Sequence, residues 1–151
     1  MPTRHRGGGD EVRALNAFIT LVRASEAVSA ATHGHLAGHR LTSSQFGVLE
    51  ALFHVGPLCQ GDLAAKLLRS CASMTSVVEG LEKRGLVVRQ RTEEDKRFVR
   101  VALTAKGRRL IQQIFPAHAE GVTRRFGVLS EQEQEQLRRL CRKLGTAAVS
   151  A

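Results

Sequence analysis

The chain predicts a mainly α fold with one small β-hairpin, and three observations carry that prediction. Leu63, Ala64, Leu67 and Leu68 form an apolar stripe at helical spacing, and Met74, Val77, Val78 and Leu81 form a second one. Only a few residues separate them, which makes a helix-turn-helix. A strand, a charged loop and another strand follow between Val87 and Thr104, in the order of a wing. Apolar stripes are also left over at both ends of the chain. Together these describe a winged helix-turn-helix with flanking helices.

Each element has its own local reason. Residues 1–9 are a loose tail rich in Gly and Arg. A first helix starts near Asp10, with Leu15, Phe18, Ile19 and Val22 on one face, and fades around Gly34 to Gly38. Thr42 and Gln45 have the spacing of a capping box. The box opens a second helix whose inner face is Phe46, Leu49, Leu52 and Phe53, stopped by Gly56-Pro57. Cys59 stands at an expected N-cap, with Asp62 three residues on. The fourth helix opens with the small polar residues Ser70, Ser73, Thr75 and Ser76, and Gly85 ends it. In the second wing strand Val99, Val101 and Leu103 alternate with Phe98, Arg100 and Ala102, so one face should be buried and the other free. Thr104 caps a fifth helix carrying Leu110, Ile111, Ile114 and Phe115, which Pro116 should bend. Ser130 and Glu133 form another capping box. It opens a last helix with Leu137, Leu140, Cys141 and Leu144 on one face. The expected organisation is a tail over 1–9, a reading unit over 42–109, and dimerisation helices over 10–41 and 110–151.

Charge adds a direction. The chain of 151 residues has net charge +9, and the excess is concentrated. From Cys59 to Arg109 there are 12 Lys/Arg against 6 Asp/Glu, a net of +6, whereas the flanks contribute +1 and +2. Such a distribution fits a phosphate footprint around the hairpin. No apolar run is long enough to cross a bilayer, and the N-terminus has no secretory pattern. Three cysteines are too few and too scattered for a disulfide scaffold, so a cytoplasmic setting is expected. No nucleophile elbow, phosphate loop or paired metal-binding histidines appear, which argues against an enzyme and against a bound metal or cofactor.

The run Leu81-Glu-Lys-Arg-Gly-Leu-Val, then Arg89, then Asp95-Lys-Arg97, then Val101-Ala-Leu-Thr-Ala-Lys-Gly107 resembles the MarR-type (multiple antibiotic resistance) transcriptional regulators. The likeness extends over residues 10–145. Within that family, His54-Val-Gly-Pro-Leu-Cys-Gln60, Ile114-Phe-Pro-Ala-His118 and Gly127-Val-Leu-Ser are similar to the branch that represses resistance to catechols and hydroquinones. The resemblance implies a homodimer on inverted-repeat, double-stranded operator DNA, released by a small aromatic ligand or, in some members, by thiol oxidation.

Site roles follow residue by residue. Arg97 matches the wing-tip arginine that enters the minor groove, where a weakly hydrated guanidinium meets concentrated negative potential, and Asp95 matches the acid that holds it. Ser70, Ser73, Thr75 and Ser76 match the contact positions of the recognition helix. Many members have a longer side chain where this chain has Ser76, so more of its specificity is expected from DNA shape. Lys83, Arg84, Arg89, Arg91, Lys96 and Arg100 are phosphate-contact candidates. The resemblance also puts an effector pocket among the first, second and fifth helices, where Phe18, Phe46, Phe53, Phe115 and His118 would supply walls and a polar handle. Two alternatives stand beside this reading. Cys59 and Cys71 lie at expected helix N-termini, which favour thiolates, and would serve a redox or electrophile sensor. A winged helix can also act as a nucleoid or protein-docking module without regulation. His33, His35, His39 and His118 read as a polar helix end rather than as metal ligands.

Overall fold

The computed structural model describes residues 2–91 and 99–150. Helix α1 runs Gly9–His33 and passes directly into a 3-10 segment, Gly34–His39. Helix α2 (Ser43–Val55) follows, then β1 (Leu58–Cys59), α3 (Gln60–Lys66) and α4 (Cys71–Lys83). Strands β2 (Val87–Arg91) and β3 (Val99–Leu103) make the hairpin, and α5 (Ala105–Phe126) and α6 (Glu131–Ser150) complete the chain.

Both expected capping boxes are formed. The Thr42 hydroxyl accepts from the Gln45 backbone N–H at 3.1 Å while the Gln45 side chain accepts from the Thr42 N–H at 3.1 Å. Ser130 and Glu133 do the same at 3.3 and 2.8 Å. Thr104 caps α5 by accepting from the Gly107 N–H at 3.0 Å. Helix α5 continues through Pro116 as one helix. Gly85 ends α4 region with φ 67°, the left-handed conformation that a glycine takes without strain.

Three features depart from the sequence reading. Helix α3 ends at Lys66, so Leu67 is its C-cap and Leu68, expected on its apolar stripe, leaves the helix at φ 51° and is exposed. The hairpin is part of a three-stranded antiparallel sheet in the order β1-β3-β2, because Leu58 and Cys59 pair with Val101 and Arg100. Ala102, expected on a free face, is buried together with Val101. As the central strand, β3 is flanked on both sides, and a methyl group does not rise above its neighbours.

The core centres on the reading unit and is completed by residues from outside it. Phe46, Leu49 and Leu52 of α2, Leu63 of α3, Met74, Val78 and Leu81 of α4, and Val101 pack with Ile111 and Ile114 of α5. Each such burial contributes about 1.5–3 kcal/mol. Helices α1 and α6 differ: Thr32 is the one buried residue on α1, and among the described residues α6 has none. Helix α5 bridges the two regions, packing against both α1 and α2.

Candidate functional site

The recognition helix α4 begins at an N-cap made by Ser70, whose hydroxyl accepts from the Ser73 N–H at 3.1 Å. Thr75 donates to the Cys71 carbonyl at 3.0 Å and accepts from the Gln60 side chain at 2.6 Å. Ser70 and Thr75 therefore shape the helix start, while Ser76 is exposed. No acidic residue lies in the first turn of α4, so the positive end of its dipole is not neutralised locally. Gln60 was not legible as a site residue, because its partner lies 15 positions away across the helix-turn-helix.

The wing is tied to this helix. The Arg89 guanidinium donates to the Glu82 carboxylate at 2.7 Å, linking β2 to the last turn of α4. Arg91 and Arg100 are exposed on β2 and β3. Asp95, Lys96 and Arg97, the expected wing tip, lie outside the described residues. Arg84 requires a correction. Its guanidinium donates to the carbonyls of Arg40 and His39 at 2.6 and 2.9 Å, so it holds the 3-10 segment instead of standing ready for a phosphate.

The expected pocket residues divide into two groups. Phe46, Phe53, Phe115 and His118 gather at one corner of α2 and α5: the Phe46 and His118 rings lie 4.4 Å apart, and Phe53 and Phe115 lie 6.5 Å apart. Phe18 does not join them. It is 63% exposed and lines an apolar groove between α1 and α6 with Leu21, Leu137, Leu140 and Leu144. The reason is helical phase, which turns Phe18 toward α6 and away from α2.

Histidines fill the place beside the three phenylalanines. His33, from the end of α1, stacks on His118 with centroids 5.5 Å apart and planes within 10°. His35, from the 3-10 segment, lies 5.5 Å from His118. His33 shares a 3.0 Å hydrogen bond with the Ser43 hydroxyl, whereas His35 Nε2 and His118 Nδ1 are buried and have no hydrogen-bond partner among the described residues. Burial holds the His118 imidazolium below its usual range, and the neighbouring His33 and His35 add to this. At His33 burial acts first and His35 second in the same direction, against Glu50. Neutral rings are thereby favoured. The sequence places His118 as the polar handle of the pocket, but His33 and His35 there are no more than a polar helix end. Their convergence depends on residues 85 positions apart in the chain. Among the described residues no group of three donors has an arrangement that would hold a metal ion.

The cysteines are spread over three places. Cys59 is the N-cap residue of α3, half-buried, and its thiol donates to the Asp62 carboxylate at 2.7 Å. Cys71 is exposed at the first position of α4, and Cys141 is half-buried in the α1–α6 groove.

Comparison with known proteins agrees with this architecture. Residues 41–99 match the family described as the MarR family. The HTH-type transcriptional regulator MhqR of Bacillus subtilis (strain 168) is 33% identical, over 90% of this chain and 94% of that protein. The crystal structure of NadR in complex with 4-hydroxyphenylacetate superposes with a TM-score of 0.73 at 29% identity, covering 96% of this chain and 98% of NadR. Bordetella bronchiseptica BpsR, whose DNA binding is regulated by 6-hydroxynicotinic acid, superposes with a TM-score of 0.72 at 30% identity, over 83% of this chain and 89% of BpsR. With a helix-turn-helix, a paired basic wing and a relative of this extent, the chain belongs to the MarR family of transcriptional regulators.

Proposed function

We propose that this regulator is a homodimeric repressor that binds an inverted-repeat operator and is released when a small phenol or aromatic acid occupies the corner between α1, α2 and α5. Residues 42–109 would read DNA and residues 10–41 and 110–151 would dimerise, with residues 1–9 as a tail. Ser70, Ser73, Thr75 and Ser76 would face the major groove. Arg89, Arg91 and Lys96 would follow the backbone, and Arg97, held by Asp95, would enter the minor groove.

The observation that carries the effector reading is the corner itself. Phe46, Phe53 and Phe115 offer aromatic walls, and His118 Nδ1 and His35 Nε2 are buried polar atoms with no partner among the described residues. A buried polar atom without a partner is costly, and a ligand hydroxyl or carboxylate would satisfy it. The chain has no Tyr or Trp, so imidazoles are the natural handle for such a group. The ligands named for NadR and BpsR are both small hydroxylated aromatic acids.

The test is a gel shift on inverted-repeat and scrambled duplex, with 4-hydroxyphenylacetate, catechol and hydroquinone added to the bound complex. Preference for the repeat and release by one of these compounds support the proposal. Equal affinity for both duplexes would favour a nucleoid or docking module. A second reading, a thiol switch, rests on Cys71, which is exposed in the first turn of the recognition helix. It predicts that diamide releases wild type until reductant is added, that benzoquinone releases it irreversibly by forming a thioether, and that Cys71→Ser and Cys59→Ser together abolish both effects.

A further inference from the structure

The 3-10 segment Gly34–His39 has a cluster of side-chain contacts at each end. At its start, His33 and His35 meet His118 of α5, and His33 stacks on the His118 ring. At its finish, the carbonyls of His39 and Arg40 accept two N–H bonds from Arg84 at 2.9 and 2.6 Å. Arg84 is the residue that caps the C-terminus of the recognition helix. The segment is internally fastened: the Arg40 N–H donates to the Ala37 carbonyl at 3.0 Å and the Leu41 N–H to the Leu36 carbonyl at 3.1 Å. Leu36 anchors it in the core, 1% exposed. Arg40 closes it in the left-handed conformation, φ 53°, which a non-glycine residue holds only when its surroundings enforce it. Lys106 of α5 also donates to the Arg84 carbonyl, at 2.9 Å. The far end of the recognition helix is thus fixed by side-chain bonds to the 3-10 segment and to α5, the two elements that also carry His35 and His118.

We infer that Arg84 is a positioning residue that couples the histidine-lined corner to the recognition helix, through the 3-10 segment acting as a short rigid strut. The inference rests on the regulatory reading above and adds the route by which that corner sets DNA affinity. A guanidinium suits the task because its planar fork grips two successive carbonyls at once, and a lysine ammonium cannot reproduce that geometry. A shift of His33 or His35 against His118 moves the strut, and the strut moves the end of α4 that carries Arg84. The start of α4, with its hydroxyl residues, then changes its angle to the groove. Lying between two sites does not by itself amount to coupling; one site must be shown to depend on the other.

A double-mutant cycle measures that dependence without needing an identified effector. The DNA probe is a duplex enriched from a random pool by the wild-type protein. Operator affinity is measured for wild type, His118→Gln, Arg84→Lys and the double variant, with thermal unfolding to confirm that each is folded. Among the described residues His118 and Arg84 share no hydrogen-bond or ring partner, so without coupling their effects should multiply independently. The expected result is that His118→Gln changes operator affinity roughly 2- to 30-fold in the wild-type background. In the Arg84→Lys background the same change should fall below about twofold. Equal factors in the two backgrounds, or no effect of His118→Gln in wild type, would overturn the coupling. Salt dependence supplies a second readout. A phosphate contact predicts that Arg84→Met lowers the slope by about one and that Arg84→Lys keeps wild-type affinity, and that pattern would also overturn the inference. Positioning predicts an unchanged slope and loss of affinity in Arg84→Lys, which stays informative even where Arg84→Met is too unstable to assay. Failure of wild type to enrich any sequence would instead overturn the regulatory reading, and this inference with it.

Discussion

Gly107 shows how a single residue is fixed by space alone. It is buried in the first turn of α5, and its N–H donates to the Thr104 hydroxyl. A Cβ at this position would run into the carbonyl oxygen of Leu86, which already accepts the Thr104 N–H at 3.1 Å. Backbone cannot yield as a side-chain end can, so α5 would have to move away from the loop that ends the recognition helix. Gly107→Ala should therefore cost about 1–3 kcal/mol, read as a lower midpoint in urea unfolding, despite the higher helix propensity of alanine. A midpoint at or above that of wild type would show that the junction is looser than the packing implies. Arg84 teaches the opposite lesson at the same scale. By composition it is one more cation in a basic run, and only its two carbonyl partners, more than forty residues away, distinguish it from a surface charge.

At the scale of elements, what could be read from the sequence was local. The capping boxes at Thr42 and Ser130, the cap at Thr104 and the stop at Gly85 each depend on residues within three or four positions, and each is formed. The turn between α3 and α4 was legible as a break but not in its geometry: Leu68 takes φ 51° with no glycine to announce it. Strand β1 was missed because two residues have no periodicity, and their pairing with β3 comes from a segment forty positions later. His118 was legible as a pocket residue, but the arrival of His33 and His35 beside it was not, for the same reason: α1, the 3-10 segment and α5 each bring one ring. That cluster has a consequence for pH. The folded state disfavours the charged form of His33 and His118 relative to the ordinary value of 6.5, through burial and through His35, with Glu50 partly opposing at His33. The unfolded chain takes up protons that the folded chain resists, so stability falls as pH drops through about 6.5. It levels off once the folded imidazoles titrate too, and above that window the two states bind protons alike at these positions. Thermal unfolding between pH 8 and pH 5 should show a steeper acid-side decline for wild type than for His118→Gln. Parallel curves would mean that the rings separate on protonation at no cost.

The molecule as a whole divides its apolar surface unevenly. The reading unit, completed by Leu36, Ile111 and Ile114 from outside it, encloses the buried core, whereas the helices at the two ends meet along a groove whose residues stay open to solvent. Phe18 is 63% exposed, Leu140 53% and Leu144 57%. Isolated apolar residues on a surface mean little, but a contiguous set shared by α1 and α6 marks an interaction face. A second copy is the occupant that fits the proposed function, because two-fold pairing on the end helices would set two recognition helices about 34 Å apart, the spacing of successive major grooves. Cys141 lies in the same groove, so pairing would also shield it from oxidants and leave Cys71 as the accessible thiol. Leu140→Glu places a charge in the middle of this face without touching the core of the reading unit. In light scattering after size exclusion, wild type should have twice the 16.5 kDa chain mass, and Leu140→Glu should approach the single-chain mass while keeping its helical circular dichroism. Its affinity for an inverted repeat should fall toward that for a single half-site, since each half then binds independently. A wild type that is monomeric at micromolar concentration, or a Leu140→Glu variant that stays dimeric, would place the two-fold contact elsewhere and leave the groove for a different partner.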